Sequence, residues 1–218
     1  MTAFFITAAG TEIGKTFTAE VLIEQWREEG HDVRAIKPVL SGYDPDDVSE
    51  SDAGRLLAAL GHDLTEENIN LMSPCRYAAP LSPDMAAARE GKAVPYDEVV
   101  EYCRAVVADA SAADAPVIIE GIGGVMVPLD DRHTVLDLIV AVGIPTVLVG
   151  GSYLGSLSHT LTAYEALKGR GVPVDSIIVS ETPDSTVPLG EVRDALSRFV
   201  APTPVYVFPF TPPPSTQG

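Results

Sequence analysis

Short apolar runs and helical patterns alternate along the whole of this 218-residue chain. Six runs have the length and composition of buried strands, and they lie at residues 3–8, 33–37, 116–121, 145–150, 175–180 and 204–208. Helical patterns stand between them, at residues 15–29, 52–60, 96–110, 156–169 and 189–199. Because strands that alternate with helices form parallel sheets, this order predicts an α/β fold with a mainly parallel sheet and helices on both of its faces.

No internal repeat and no linker-like stretch divides the chain, so we expect one domain over residues 1–210. With 46% hydrophobic residues, the chain can bury a sizeable core. The last eight residues, TPPPSTQG at 211–218, are rich in proline and predict a mobile tail.

Charge and cysteine content narrow the classes of partner. A formal net charge of −17 at pH 7 repels a nucleic-acid backbone, so a bound polyphosphate needs placed lysines, backbone N–H groups and a metal ion. No apolar run of 18 residues and no leader-like segment occurs, so we expect a cytoplasmic protein without a membrane partner. Cys75 and Cys103 have no metal-ligand spacing and no disulfide framework, which predicts two cytosolic thiols.

The first strand runs directly into AAGTEIGKT at residues 8–16. A strand, a glycine-bearing loop and Gly-Lys-Thr at the start of a helix form the context of a phosphate-binding loop, so we expect the α/β fold to be P-loop NTPase-like. The usual pattern has a glycine five residues before Gly14, but Ala9 stands there and Gly10 is displaced by one. We expect backbone N–H groups and the helix N-terminus to bind phosphate, with Lys15 at the β- and γ-phosphates and Thr16 on Mg²⁺.

Two further loop positions bear on the function. A large group of dimeric ATPases carries a second lysine five positions before the invariant one, and here that position is Gly10. The loop instead presents Thr11 and Glu12, and a carboxylate beside a polyanion suits an amine better than a phosphate. This indicates a second substrate that is cationic or carries an amine.

Ligands of parallel α/β sheets bind beyond the carboxyl ends of the strands. Glu120 closes one strand and Asp52 opens the helix that follows a polar loop, so both are candidate Mg²⁺ ligands. Asp52 is also consistent with a helix N-cap role that it shares with Ser51.

Lys37 ends the second strand before Pro38, where it would place a second cation near a transferring phosphoryl group. Ser41 follows at the head of the loop and is a candidate donor to an anionic intermediate, although a turn serine fits the pattern equally well.

Five motifs in this order resemble dethiobiotin synthase, from residue 3 to about residue 210: GTEIGKT, KPVLSG, ESD, EGIGG and LGSLSHT. The resemblance implies a Mg²⁺- and ATP-dependent enzyme of biotin synthesis. Such an enzyme joins CO₂ to 7,8-diaminononanoate as a carbamate, phosphorylates the carbamate with ATP and closes the ring to dethiobiotin. It also implies a homodimer with the substrate at the subunit interface.

Residue roles follow from the same resemblance. Catalytic roles fall on Lys37, Lys15, Thr11 and Glu12, and metal binding on Thr16, Asp52 and Glu120. The substrate roles fall on Ser41 for the carbamate, and on Leu154, Leu157 and Ser158 for the carboxylate tail at a helix of the partner subunit. The residues implied in nucleotide binding are Glu12, Ile13, Gly14, Lys15, Thr16, Phe17, Asp52, Glu120, Gly121, Ile122, Gly123, Ser180, Glu181, Phe208, Pro209 and Phe210.

The sequence departs from the family pattern at three places. Ala8 stands where a glycine is usual, Ser158 where a helix-opening asparagine is usual, and Ser180 with Glu181 where an adenine-reading asparagine is usual. These departures leave nucleotide selectivity open between ATP alone and a wider set that includes GTP and CTP.

Three other interpretations remain open at this point. A partitioning-type nucleotide switch is disfavoured by the missing lysine at position 10 and by the lack of an amphipathic membrane tail. A non-catalytic regulatory relative is disfavoured by the complete set of Lys15, Thr16, Lys37, Asp52 and Glu120. An amide-forming synthetase for cobalamin-type acids would carry a glutaminase domain, for which 218 residues leave no room.

Overall fold

A parallel sheet forms the centre of the computed structural model, which describes residues 2–183 and 185–209. Along the chain, the elements are β1 (Ala3–Ala8), α1 (Lys15–Glu28), β2 (Arg34–Ile36), β3 (Val39–Ser41), α2 (Asp52–Leu60), α3 (Glu66–Met72), β4 (Cys75–Tyr77), α4 (Pro83–Arg89), α5 (Tyr96–Ala112), β5 (Val117–Glu120), α6 (Val135–Val142), β6 (Thr146–Gly150), α7 (Ser156–Gly169), β7 (Val174–Ser180), α8 (Leu189–Val200) and β8 (Val205–Phe208).

The six strands of the main sheet follow the order β2-β5-β1-β6-β7-β8, and every neighbouring pair is parallel. They are the six runs that the sequence predicts as strands, so the predicted fold class is confirmed. With β1 between β5 and β6, the loop after β1 and the residue that ends β5 meet at one edge of the sheet. This edge is where the sequence predicts the site.

Both faces of the sheet are buried, which explains why the strands read as continuous apolar runs. Phe5 packs into the core under α4 to α8, whereas its neighbour Ile6 packs into the opposite core under α1 to α3. Ile118 and Ile119 of β5 divide between the two cores in the same way. Alternate residues of each strand therefore anchor the two helical layers.

Five short elements have no counterpart among the predicted ones: β3, β4, α3, α4 and α6. The second strand ends at Ile36, so Lys37, predicted as its last residue, follows it by one. After Pro38 the chain forms β3, which pairs with β4 in a separate two-stranded sheet. Strands of three residues carry too few apolar positions to show a period. Thr134 begins α6 with a capping box to Asp137, a signal that the sequence does contain.

The other features predicted from the sequence concern the cysteines, membrane-spanning segments and the C-terminal residues. Cys75 and Cys103 are free thiols. Within the described residues, no helix has both the length and the apolar character needed to cross a membrane. The predicted mobile tail at 211–218 lies outside the described residues, as does Phe210.

Candidate active site

The phosphate-binding loop joins β1 to α1 and has a positive φ at two positions. Gly14 has a φ of 95°, and a Cβ atom at this position would lie 2.4 Å from Ser180 Oγ. Glu12 also adopts a positive φ, 57°, which is uncommon for a residue with a side chain. Ala8 is fully buried as the last residue of β1, so the departure from glycine falls in the strand.

Lys15 and Thr16 form the first turn of α1, and both are buried. Burial, with the nearby ammonium of Lys37, lowers the pKa of Lys15 from 10.5 to about 8. The polar contact of Lys15 Nζ is a long one, 3.5 Å to the carbonyl oxygen of Gly10. A buried cation that is so weakly compensated favours an anion in the adjacent space.

Two carboxylates from different elements converge on Thr16. Its hydroxyl lies 2.8 Å from Asp52 Oδ1 and 2.9 Å from Glu120 Oε1. Lys37 Nζ bridges the same two carboxylates, at 2.7 Å from Asp52 Oδ2 and 2.6 Å from Glu120 Oε1, and it also donates to the carbonyl of Gly121 at 3.0 Å. These are the residues that the sequence predicts, and the fold brings them into direct contact.

Burial and charge act in opposite directions on this cluster. Burial lowers the pKa of Lys37, but the charges of Glu120 and Asp52 outweigh it and raise the pKa overall. Burial raises the pKa of Asp52, but the charges of Lys37 and Lys15 and the hydrogen bonds from Lys37 and Thr16 together outweigh it and lower the pKa overall. For Glu120, full burial dominates and raises the pKa.

The cluster fits a magnesium ion. The Thr16 hydroxyl, Asp52 and Glu120 offer hard oxygen ligands, and Glu120 Oε2 is buried without a hydrogen-bond partner in the described part of the chain. The cluster has two carboxylates and a hydroxyl, and within residues 2–183 and 185–209 no group of three or more His, Cys, Asp or Glu side chains could hold a metal. Mg²⁺ suits such a site, because it takes one or two carboxylates and completes its shell with phosphate and water.

A cavity of about 700 Å³, here called the large cavity, opens in front of this cluster. Its lining includes twelve of the predicted site residues: Thr11, Glu12, Ile13, Gly14, Lys15, Thr16, Phe17, Lys37, Ser41, Asp52, Ile122 and Gly123. Ser41 Oγ is buried and has no hydrogen-bond partner among the described residues. A buried hydroxyl in that state favours a polar ligand in the cavity.

A second cavity of about 320 Å³, here called the small cavity, adjoins the other side of the phosphate loop. It contains the predicted base-side residues Ser180, Glu181 and Pro209. Phe208 lines neither cavity and packs edge-to-face on Phe17, with ring centroids 6.1 Å apart.

Two predicted nucleotide residues lie beneath the large cavity and do not line it. Glu120 is fully buried. Gly121 packs against Phe5, where a Cβ atom would lie 2.9 Å from the ring. Each of them accepts a hydrogen bond from Lys37, which does line the cavity.

The predicted tail residues Leu154, Leu157 and Ser158 lie apart from both cavities. They line a third cavity of about 640 Å³ at the start of α7, where Leu154 is 88% exposed. Within one chain, the fold does not bring them to the phosphate loop.

Sequence reasoning missed Arg55, which lines both the large and the small cavity. It stands three residues after Asp52 on α2, and its carboxylate partner Glu20 stands four residues after Thr16 on α1. These helical spacings place Arg55 and Glu20 on the same helix faces as Asp52 and Thr16. The spacings are visible in the sequence and indicate that the pair lies near the site.

Comparisons with known proteins place this geometry in a family. A family described as an AAA domain matches residues 2–210. A curated ATP-dependent dethiobiotin synthetase of Acidiphilium cryptum is 46% identical over 209 residues, covering 95% of this chain and 92% of that protein. One of Methylobacterium nodulans is 45% identical, covering 91% and 89%. The chain belongs to the ATP-dependent dethiobiotin synthetase family.

Solved structures of other proteins have a fold similar to that of this dethiobiotin synthetase family member. The signal recognition particle receptor FtsY of Elizabethkingia anophelis has a TM-score of 0.56 at 15% identity, and the match covers 94% of this chain and 58% of FtsY. The MinC:MinD cell division complex of Aquifex aeolicus also gives 0.56, at 12% identity, covering 97% of this chain and 83% of that one. At such identities the likeness concerns the fold alone, so it does not favour the nucleotide switch.

Proposed function

We propose that this chain is a dethiobiotin synthetase that uses ATP and CO₂ to carboxylate and cyclise 7,8-diaminononanoate, with release of ADP and phosphate. The observation that carries this function is the cluster of Lys37, Asp52, Glu120 and Thr16 beside Lys15, in a chain 46% identical to a curated enzyme of that name.

The phosphates of ATP are assigned to the loop and the first turn of α1. There, backbone N–H groups, the helix N-terminus and the Lys15 ammonium attract an anion. Thr16, Asp52 and Glu120 would hold Mg²⁺, which supplies positive charge against the phosphate oxygens when bound. Because Lys15 has a lowered pKa, an anion beside it would restore its full charge.

The diamine and its carbamate are assigned to the opposite wall of the large cavity. One amine attacks the carbon of CO₂ and loses a proton, which forms the carbamate. Its oxygen then attacks the γ-phosphorus of ATP and releases ADP, which gives a carbamic-phosphoric mixed anhydride. The second amine attacks the carbonyl carbon, phosphate leaves, and the ring is closed.

The side chains of this wall suit those steps. Glu12 and Thr11, both exposed to the large cavity, can accept hydrogen bonds from the ammonium ends of the diamine. The unpartnered Ser41 hydroxyl can donate to the carbamate, and Lys37 can offset the charge that passes between carbamate and phosphate.

A homodimer would complete the site. The N-terminus of α7, with Gly155 as its N-cap, has no side-chain cap and is flanked by the exposed side chains of Leu154 and Leu157. A substrate carboxylate suits such a helix end. We therefore assign the tail of the diamine to Leu154, Leu157 and Ser158 of the partner subunit, in a cytoplasmic enzyme.

Phosphate release tests this function. Purified protein with ATP, Mg²⁺ and bicarbonate is assayed with and without 7,8-diaminononanoate. Phosphate release that requires the diamine supports the synthetase. The same assay with GTP and CTP measures nucleotide selectivity in a chain that has Ser180 and Glu181 where an adenine-reading asparagine is usual. Release that is independent of the diamine would instead favour a nucleotide switch.

A further inference from the structure

A bidentate ion pair links α1 and α2 beside the candidate active site. Arg55 Nε lies 2.8 Å from Glu20 Oε1, and a second guanidinium nitrogen lies 2.5 Å from Glu20 Oε2. The Thr16–Asp52 hydrogen bond joins the same helix faces one turn nearer their N-termini. The pair therefore fixes the direction of the guanidinium next to the metal-ligand candidates.

Arg55 lines the large cavity and the small cavity at once. The other residues shared by both are Glu12, Ile13, Gly14 and Phe17, all from the phosphate loop and the first turn of α1. A nucleotide with its phosphates at Lys15 and its base in the small cavity must pass along this shared border. The part of the nucleotide that lies there is the α-phosphate and the ribose.

The remaining hydrogen-bonding capacity of Arg55 suits a phosphate. A guanidinium has five N–H donors, and Glu20 occupies one on Nε and one on a terminal nitrogen. The side chain is 41% exposed, so free donors are accessible from the cavities. Of the described charged residues that line the small cavity, Glu12 and Glu181 are acidic and Arg55 is basic.

We propose that Arg55 binds the nucleotide at its α-phosphate and ribose, and that Glu20 positions the guanidinium for this contact. The inference rests on the proposed function only in taking a nucleotide as the ligand. It adds a binding residue outside the phosphate loop, one that contributes to affinity whichever base occupies the small cavity.

The experiment is a titration of ADP into the protein by calorimetry, first in EDTA and then with Mg²⁺. Arg55→Ala is compared with Arg193→Ala, which removes an arginine of similar exposure, 46%, that is paired with Asp194 and lines neither cavity. We expect Arg55→Ala to weaken ADP binding about 10- to 100-fold in both buffers, as for one charge-assisted hydrogen bond. Arg193→Ala should bind as the wild type does.

Two further variants separate contact from support. Arg55→Lys keeps the charge but loses the forked geometry, and should recover part of the affinity. Glu20→Gln keeps the guanidinium and should cost less than Arg55→Ala. If Arg55→Ala does not give the wild-type circular dichroism spectrum, Arg55→Lys and Arg55→Gln are judged by the same criterion in EDTA.

Unchanged ADP affinity in the Arg55 variants would overturn the inference. A loss that occurs with Mg²⁺ but not in EDTA would also overturn it, because Arg55 would then act by positioning Asp52. These results are distinct from failure of the proposed function. A wild-type protein that binds ADP but releases no phosphate in a diamine-dependent manner would refute the synthetase and leave the Arg55 comparison intact.

Discussion

Replacement of Lys37 by methionine tests the electrostatics of the central cluster. The variant removes the cation that lies 2.6 Å from Glu120 and 2.7 Å from Asp52, and leaves the two carboxylates without it. The Lys37 and Glu120 side chains are 1% and 0% exposed. Removing one partner of a buried ion pair costs about 3–5 kcal/mol of folding free energy. For a chain of this length, we expect the melting temperature to fall by about 6–20 °C.

The assay is thermal unfolding followed by far-UV circular dichroism at pH 7.5 in EDTA, with Lys92→Met as the matched control. Lys92 pairs with Glu90 at the same 2.7 Å, but its side chain is 60% exposed, so its loss should change the melting temperature little.

The pH dependence supplies a second criterion. Lys37 keeps the pKa of Asp52 below its ordinary value, so the stability that this contact gives is present above about pH 4 and is lost as the pH falls below it. The deficit of Lys37→Met should therefore narrow on acidification. A melting temperature within about 2 °C of that of Lys92→Met, or a deficit that widens toward acid pH, would refute this electrostatic reasoning.

Three other predictions concern the walls of the large cavity. Gly14→Ala should weaken ADP binding at least tenfold, as measured by calorimetry, and should lower the melting temperature. The reason is that the backbone has a φ of 95° and the new methyl group would overlap Ser180. Wild-type ADP affinity in this variant would contradict the prediction. The pKa of Lys15 is about 8, so ADP affinity should fall as the pH rises above 8. Binding at pH 8.5 should take up protons, which calorimetry detects as a heat that depends on the buffer. Lys15→Met should show neither effect, and an ADP affinity of the wild type that does not change with pH would contradict this role of Lys15. Ser41→Ala should leave ADP affinity unchanged but reduce diamine-dependent phosphate release about 10- to 100-fold. The surface variant Ser197→Ala should release phosphate at the wild-type rate. Equal rates of release in Ser41→Ala and the wild type would show that Ser41 has no part in the reaction.

Much of the fold could be predicted because the main sheet is buried on both faces. Its strands β1, β5 and β6 are nearly continuous apolar runs, and helical patterns separate the strands along the chain. The small sheet of β3 and β4 could not be predicted, because its three-residue strands depend on pairing between Val39–Ser41 and Cys75–Tyr77. Such a pairing joins distant segments and leaves no local periodicity.

The candidate site divides in the same way. Lys15 and Thr16 are marked by a local motif, and Glu120 by its place at the end of a strand, so topology alone brings them together. Arg55 could not be predicted, because an arginine within a helix is usually solvated and its proposed role depends on Glu20 in another helix. The tail residues near Leu154 would reach the site only in the proposed homodimer, from a second subunit that one chain does not supply.

The origin of the ring carbonyl shows whether the chain is a dethiobiotin synthetase. The protein is incubated with ATP, Mg²⁺, 7,8-diaminononanoate and ¹³C-bicarbonate, and the products are followed by mass spectrometry alongside phosphate release. We expect dethiobiotin that carries one ¹³C atom, formed in a one-to-one ratio with phosphate and absent with Lys37→Met. Phosphate release without labelled dethiobiotin would contradict the assignment of this chain as a synthetase.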